Sequence, residues 1–145
     1  MKAMQVNKAD HGPVLIPAEL PKPQAGLGEL LVRVHAAGVT PTELLWYPTT
    51  HTKSGTARTR AVPGHEFSGV ITTIGKDVHD FEVGDEVYGM NDWFADGATA
   101  EFCITLPQLE FKAEAQDFFD LTHGHSPGWH SVSPVRHIGE SVCPV

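Results

Sequence analysis

The sequence contains few cysteines and no long hydrophobic run, and these absences exclude several classes of protein. Cys103 and Cys143 are the two cysteines in 145 residues, which is too few for a disulfide framework and gives no Cys-x-x-Cys motif. No apolar stretch approaches the roughly 20 residues that a transmembrane helix needs. Residues 1–5 carry no apolar signal-peptide core. Together these features predict a soluble, cytoplasmic protein whose thiols stay reduced.

The sequence also lacks a basic cluster. Ten Lys and Arg residues stand against 18 Asp and Glu residues, which gives a formal net charge of −8. An acidic chain of this kind is repelled by the phosphates of nucleic acids and by anionic lipids. We therefore expect neither a nucleic-acid partner nor a membrane partner.

Glycine and proline are plentiful, with 14 and 11 residues, and they divide the chain into many short elements. Alternating or β-branched patterns predict strands at residues 2–7, 14–20, 29–37, 67–74, 86–88 and 98–106. Along 29–37, one side of the strand presents Val32, Val34 and Ala36, and the other presents Leu31, Arg33 and His35, which predicts a single buried face. Short strands separated by turns favour a mainly β, barrel-like core.

The segments between and after these strands have other predicted structures. Pro41–Trp46 suits one helical turn with Thr40 as its cap. Residues 47–62 show no periodicity and predict a mobile surface loop. Residues 110–121 suit a short amphipathic helix, and 122–145 contain few large aliphatic residues, which predicts a largely disordered tail.

One segment carries most of the functional information, because Gly64 to Val78 reads G-H-E-x-x-G-x5-G-x2-V. This pattern resembles the signature of the medium-chain alcohol dehydrogenase and quinone reductase superfamily. Segments 28–39, 83–89 and 97–102 resemble the same family in order and spacing. The resemblance covers about residues 1–109 and implies a GroES-like catalytic domain, a β-barrel with short helices. Residues 110–145 resemble no segment of the family and form a separate predicted tail.

Full-length relatives continue into a Rossmann domain, whose Gly-rich turn holds the pyrophosphate of NADP(H). This chain has no G-x-G-x-x-G after an apolar strand, so we identify no cofactor-binding residue. The resemblance implies a truncated member that binds no cofactor on its own. A shifted reading frame, alternative splicing and an incorrect gene model are three alternative origins of the tail.

The same resemblance argues against a zinc site. In zinc-dependent relatives, a Cys directly after the Ala-Ala-Gly-Val segment and the His of the Gly-His-Glu motif bind the metal; here Thr40 replaces that Cys, and His65 is the motif His. We expect no zinc and a hydrogen-bonded role for His65, with Glu66 orienting a neighbour or pairing with Arg58 or Arg60. The tail residues His123, His125, His130, His137 and Cys143 match no structural zinc pattern.

Thr40–Glu43 resembles the Asn-Pro-x-Asp segment of the zinc-independent quinone reductase branch. The resemblance implies that catalytic residues lie here, and our candidates are Thr40, Glu43 and Tyr47. Tyr47 could protonate a developing enolate, although a tyrosine pKa near 10 makes this difficult without help. The candidates for substrate binding are Trp46, His65 and Glu66. Trp46 and Tyr47 suit stacking on a flat quinone or enone, and burial in the core is the alternative.

The implied function is that of the catalytic-domain portion of an NADP(H)-dependent, zinc-independent oxidoreductase acting on a quinone or an α,β-unsaturated carbonyl. Without a nucleotide-binding domain, we expect no activity from this chain alone. The alternative is a non-catalytic GroES-like binding or interaction fragment, which would self-associate or pair with a full-length homologue.

Overall fold

The computed structural model describes residues 1–112 and consists mainly of antiparallel β-structure. A two-stranded sheet contains β1 (Lys2–Ala9) and β2 (Gly12–Glu19). A five-stranded sheet has the order β6-β3-β4-β5-β7. Its strands are β3 (Leu30–Gly38), β4 (Glu66–Ile74), β5 (Glu86–Met90), β6 (Phe102–Thr105) and β7 (Glu110–Lys112). The predicted fold class, mainly β with short helices, is confirmed.

The five-stranded sheet curls so that its two outer strands approach each other. A 3-10 helix, Pro107–Leu109, links β6 to β7, and the Thr105 hydroxyl donates a 2.6 Å hydrogen bond to Glu110 Oε1. The enclosed space holds the main hydrophobic core, which consists of Leu30, Val32, Ala37, Phe67, Ile71, Val87, Ala98 and Cys103. Cys103 is a free, buried thiol, as expected for a small core residue.

Strand β3 is central, and its burial differs from the sequence prediction. The strand itself is confirmed, and Val32 and Ala36 are buried while Arg33 is exposed, as the alternation predicts. The expectation of one buried face is wrong at the start of the strand, where Leu31 is also buried. The physical reason is its position between β4 and β6, together with register shifts between Leu31 and Val32 and between Val34 and Ala36. Such irregularities change the face on which the following side chains lie.

The β1–β2 hairpin packs against two loops rather than extending the larger sheet. Ala3 bridges Ala100, and the Val6 N–H donates to the Ala61 carbonyl at 2.9 Å. Ala3, Val62 and Ala100 form a second small hydrophobic cluster. The hairpin therefore contacts both the segment that precedes β4 and the segment that precedes β6.

These contacts correct the prediction of a surface loop at 47–62. Tyr47–Thr50 forms helix α1, an isolated bridge joins His51 to Ala57, and Ala61 and Val62 are buried. The prediction treated a polar, non-periodic segment as loop, but non-local contacts with β1 order it. Pro41–Leu45 forms a 3-10 helix with Thr40 at its N-cap position, in agreement with the predicted turn.

The helix predicted from Glu110 is wrong at its beginning, because Glu110–Lys112 pairs with β5 as strand β7. The remainder of that helix, the predicted disordered tail and its histidines lie outside the described residues. The domain boundary after residue 109 stays a prediction. Within residues 1–112 no helix has the length and apolar character required to cross a membrane.

Candidate active site

The end of β3 and the start of β4 bring the two family-like motifs together. Gly38 pairs with Glu66 at the last position of the β3–β4 register, so Val39 and Thr40 lie close to Gly64 and His65. Gly64 has a positive φ of 88°, and a Cβ atom there would approach Thr99 Oγ1 to 2.5 Å. Glycine is therefore required at this position for both conformation and space. This close packing against Thr99 directs the backbone N–H of Gly64 toward Glu43 in the 3-10 helix.

That N–H and the imidazole of His65 share one buried carboxylate. The Gly64 N–H donates to Glu43 Oε1 at 2.7 Å, and His65 Nδ1 lies 2.6 Å from the same oxygen. Glu43 and His65 are both buried. Because a carboxylate only accepts hydrogen bonds, the pairing places the imidazole proton on Nδ1. His65 Nε2 is buried and has no hydrogen-bond partner among the described residues.

Two tryptophans cover this buried pair. Trp93 stacks on the His65 ring, with centroids 5.2 Å apart and planes 29° apart. Trp46 contacts Trp93 with centroids 5.3 Å apart and planes 58° apart. Trp46 is 38% exposed and Trp93 is 39% exposed, so each ring presents surface to solvent. We call Trp46 and Trp93 the aromatic wall.

Trp93 was not identified from the sequence. It lies between the family-like segments 83–89 and 97–102, in the turn-rich run Asn91–Ala95. The one local signal for Trp93 is that a large aromatic residue stands in a turn-rich run, where small polar residues are usual. The contact with His65 depends on tertiary structure, since Trp93 belongs to no periodic pattern.

The other predicted catalytic residues have different surroundings. Thr40 and Thr42 are exposed, with their hydroxyl oxygens 3.1 Å apart. Tyr47 is 55% exposed and stacks on His51 at a centroid distance of 4.5 Å. Glu43 lies beneath the surface, where it orients His65. Direct catalytic roles for Thr40, Glu43 and Tyr47 stay predictions.

Glu66 follows His65 and lies near a second negative charge. Partial burial raises the pKa of Glu66, and repulsion by Glu43 raises it further. Of the two arginines predicted as salt-bridge partners for Glu66, Arg58 instead pairs with Asp96, at 2.6 Å. Glu66 is therefore a partly buried carboxyl next to the Glu43–His65 pair.

The donor atoms around His65 do not fit a catalytic zinc ion. Such a site needs three protein ligands, and no group of three His, Cys, Asp or Glu residues within 1–112 is arranged to hold a metal. Thr40 occupies the expected thiolate position. Cys103 is buried in the core, which strongly raises the pKa of its thiol. Zinc independence nevertheless stays a prediction.

The described residues contain no unit of the kind that binds dinucleotides in a Rossmann domain. The strand pairs within 1–112 are antiparallel, whereas a dinucleotide-binding unit needs parallel strands joined by a helix. The residues that would contact NADP(H) are therefore not identified in this part of the chain.

Comparison with known proteins gives matches to dehydrogenases and to quinone oxidoreductases. The sequence profile of the alcohol dehydrogenase GroES-like domain matches residues 26–132. An L-threonine 3-dehydrogenase from Shewanella sp. (strain ANA-3) is 34% identical over 89 residues, which cover 61% of this chain and 26% of that protein. The chain thus spans about a quarter of the length of this curated relative.

Solved structures show the same fold. A mycobacterial quinone oxidoreductase matches with 29% identity and a TM-score of 0.62, covering 79% of this chain and 34% of that one. A mycobacterial protein solved in complex with NADPH gives the same values. A Rhizobium etli protein assigned as a zinc-dependent alcohol dehydrogenase matches with 30% identity and a TM-score of 0.63, over 77% of this chain and 32% of that one.

Proposed function

Because this chain belongs to the alcohol dehydrogenase GroES-like domain family, we propose that it is the substrate-binding portion of a zinc-independent, NADP(H)-dependent quinone or enone reductase. The observation that carries the proposal is the half-exposed aromatic wall above the buried Glu43–His65 pair. The proposal concerns the whole enzyme, of which these residues supply the substrate side.

The aromatic wall suits a flat, conjugated substrate. Indole rings contribute large contact area at low conformational cost, and aromatic pairs are worth about 0.5–1.5 kcal/mol beyond area burial. The Glu43–His65 pair is short and buried, so it holds Trp93 from below through the imidazole. A quinone or enone lying on Trp46 and Trp93 would find its supporting surface already formed.

Reduction of such a substrate places negative charge on its carbonyl oxygen, and this charge needs hydrogen-bond donors. The exposed hydroxyls of Thr40 and Thr42 lie 3.1 Å apart at the N-terminal end of the 3-10 helix that carries Glu43. We assign these hydroxyls to the substrate oxygen. NADPH, when bound in the whole enzyme, supplies the hydride.

Two findings support the choice within the family. The donor set around His65 does not provide three zinc ligands among the described residues, and this favours the zinc-independent branch. The aromatic wall favours a flat substrate; the fold does not decide, because it matches a quinone oxidoreductase and a protein assigned as a zinc-dependent alcohol dehydrogenase about equally. The match to a protein solved with NADPH supports the cofactor. The free thiol of Cys103 is compatible with a reducing, cytoplasmic compartment.

Duroquinone is a suitable probe, because its four methyl groups block addition of thiols to the ring. We expect the indole N–H signals of Trp46 and Trp93 to shift in a two-dimensional NMR titration, with a Kd of about 100 μM, or roughly −5.5 kcal/mol. Trp93→Leu should weaken binding about tenfold. Leu27→Ala, at an exposed apolar residue outside the site, is the matched control.

Two further measurements complete the test. The chain alone should not oxidise NADPH in the presence of duroquinone, and elemental analysis after dialysis should find well under one zinc per chain. Absence of duroquinone binding, or equal binding by wild type and Trp93→Leu, would overturn the proposal. A full equivalent of zinc that disappears in His65→Ala would overturn its zinc-independent part.

A further inference from the structure

The segment that carries Trp93 is held in place by side chains from the segment that follows Trp46. Residues 92–96 form an exposed turn, in which the Ala95 N–H donates to the Asp92 carbonyl at 2.9 Å. Lys53 and Arg58 contact this turn across more than 30 residues of sequence. The two segments that carry the aromatic wall therefore contact each other through these side chains, and the two cations differ in how much they contribute.

Arg58 makes the larger set of contacts. Its Nη1 donates to the carbonyl oxygens of Pro48, Phe94 and Ala95, at 3.0, 3.2 and 3.1 Å. Its Nη2 donates to Asp96 Oδ1 at 2.6 Å. The side chain is 14% exposed, whereas that of Asp96 is 62% exposed. One mostly buried guanidinium thus connects helix α1 with the turn at 92–96.

The positions of these acceptors explain why the connection matters. Pro48 lies two residues after Trp46, and Phe94 directly follows Trp93. A change at Arg58 therefore releases the backbone beside both tryptophans at once. Asp96 Oδ1 also accepts the Val62 N–H at 3.2 Å, which anchors the turn to the chain leading into Gly64 and His65.

The chemistry of the side chain is specific to arginine. Four acceptors surround one planar group, and a guanidinium offers five N–H donors in a fixed fork. A lysine ammonium has three donors and a compact charge, so it cannot reproduce the geometry. Lys53 makes a simpler contact: it pairs with Asp92 at 2.8 Å, and its side chain is 67% exposed.

We propose that Arg58 is a positioning residue that sets the arrangement of Trp46 and Trp93 and thereby the preference of the site for planar ring substrates. The preference for planar substrates rests on the proposed function, and the positioning of the wall does not. Arg58 acts through the two tryptophans and does not itself contact the substrate.

Circular dichroism tests the positioning directly, because two indole rings 5.3 Å apart give a coupled far-ultraviolet signal. Trp93→Leu should abolish this signal and so assign it. Arg58→Met should reduce it by at least half, Arg58→Lys should retain an intermediate part, and Lys53→Met should leave it unchanged. Duroquinone affinity should fall about fivefold in Arg58→Met and less in Arg58→Lys.

The outcomes separate this inference from the proposed function. A folded Arg58→Met variant with an unchanged coupled signal and unchanged duroquinone affinity would overturn the inference. If Arg58→Met does not fold, Arg58→Lys decides: a wild-type signal and affinity in that variant would overturn it equally. If the signal depends on Arg58 while the wild type binds no duroquinone, the positioning stands and the proposed function fails.

Discussion

Glu43 and Glu110 are both buried glutamates, with 4% and 6% of their surface exposed, but their surroundings differ. Glu43 accepts hydrogen bonds from a backbone N–H and from an imidazole on the same oxygen. Glu110 accepts one from the Thr105 hydroxyl, and its Oε2 is buried without a partner among the described residues. Burial raises the pKa of Glu110 to about 8, and the Thr105 hydrogen bond opposes this increase.

The comparison shows that two glutamates of similar depth differ in the donors around them. Glu43 has a backbone N–H and an imidazole on one oxygen and anchors His65 beneath the aromatic wall. A carboxyl with a single hydroxyl donor favours its neutral form in the interior. Glu110 in β7 is hydrogen-bonded to Thr105 in β6, so the stability of this contact between the two outer strands should depend on pH.

The largest expected effect is the pH dependence caused by Glu110. Its pKa is about 8 in the folded state against a usual 4.5, so the folded chain keeps a proton that the unfolded chain loses. The free energy of unfolding should therefore fall as pH rises from about 4.5 to about 8 and then level off, by at most ~5 kcal/mol. Urea unfolding measured across this range will check the slope.

The matched variant is Glu110→Gln, which keeps the shape of the side chain and removes the titration. We expect the variant to lose this part of the slope and to be more stable than the wild type at pH 9. Parallel curves for the two proteins would show that Glu110 is hydrated in solution. Asp85 and Asp92 have effects below this window, because hydrogen bonds from Lys112 and Lys53 lower their pKa values. The raised pKa of Glu66 adds slope of the same sign to both proteins, so the difference between the two curves isolates Glu110.

The next effect is the loss of the Glu43 anchor. Glu43→Ala leaves the Gly64 N–H and His65 Nδ1 without their buried acceptor, and removal of one partner of such a pair costs about 3 kcal/mol. Glu43→Gln keeps an acceptor oxygen and should cost clearly less. Chemical denaturation gives both values at pH 7.

A second readout tests the role of Glu43 in holding the site. Because Trp93 stacks on His65, Glu43→Ala should also shift the Trp93 indole signal in the NMR spectrum. A variant that loses stability while this signal stays in place would show that the pair stabilises the barrel and does not position the wall.

The sequence predicts most strands, and three of its candidate site residues lie together in the structure, for identifiable reasons. Alternation and turn residues located β1 to β6, because these signals are local. The Gly-His-Glu motif identified His65, and the resemblance around Thr40 identified Glu43 and Trp46. Each of these residues lies on a segment whose own pattern is informative.

The missed features depend on contacts between distant segments. Ala61 and Val62 are buried because β1 packs on them, and the Val6 N–H bonds to Ala61. Glu110 is buried because β7 pairs with β5, although a helical pattern was predicted there. Trp93 stacks on His65, and its turn contacts Arg58 from a distant segment. A local pattern contains no information about such pairings.

The smallest expected effect comes from Lys53, which contacts the same turn as Arg58 but at the surface. The Lys53–Asp92 pair has side chains that are 67% and 36% exposed, and exposed ion pairs contribute about 0–1 kcal/mol. Lys53→Met should therefore change the free energy of unfolding by less than about 1 kcal/mol, and less still at high salt.

The same substitution should also let the pKa of Asp92 rise toward its usual value, because the Lys53 hydrogen bond is the largest cause that lowers this pKa. An NMR titration of Asp92 and urea unfolding measure the two effects. A loss above about 2 kcal/mol would show that this exposed pair contributes as much as a buried one, and the distinction drawn between Lys53 and Arg58 would fail.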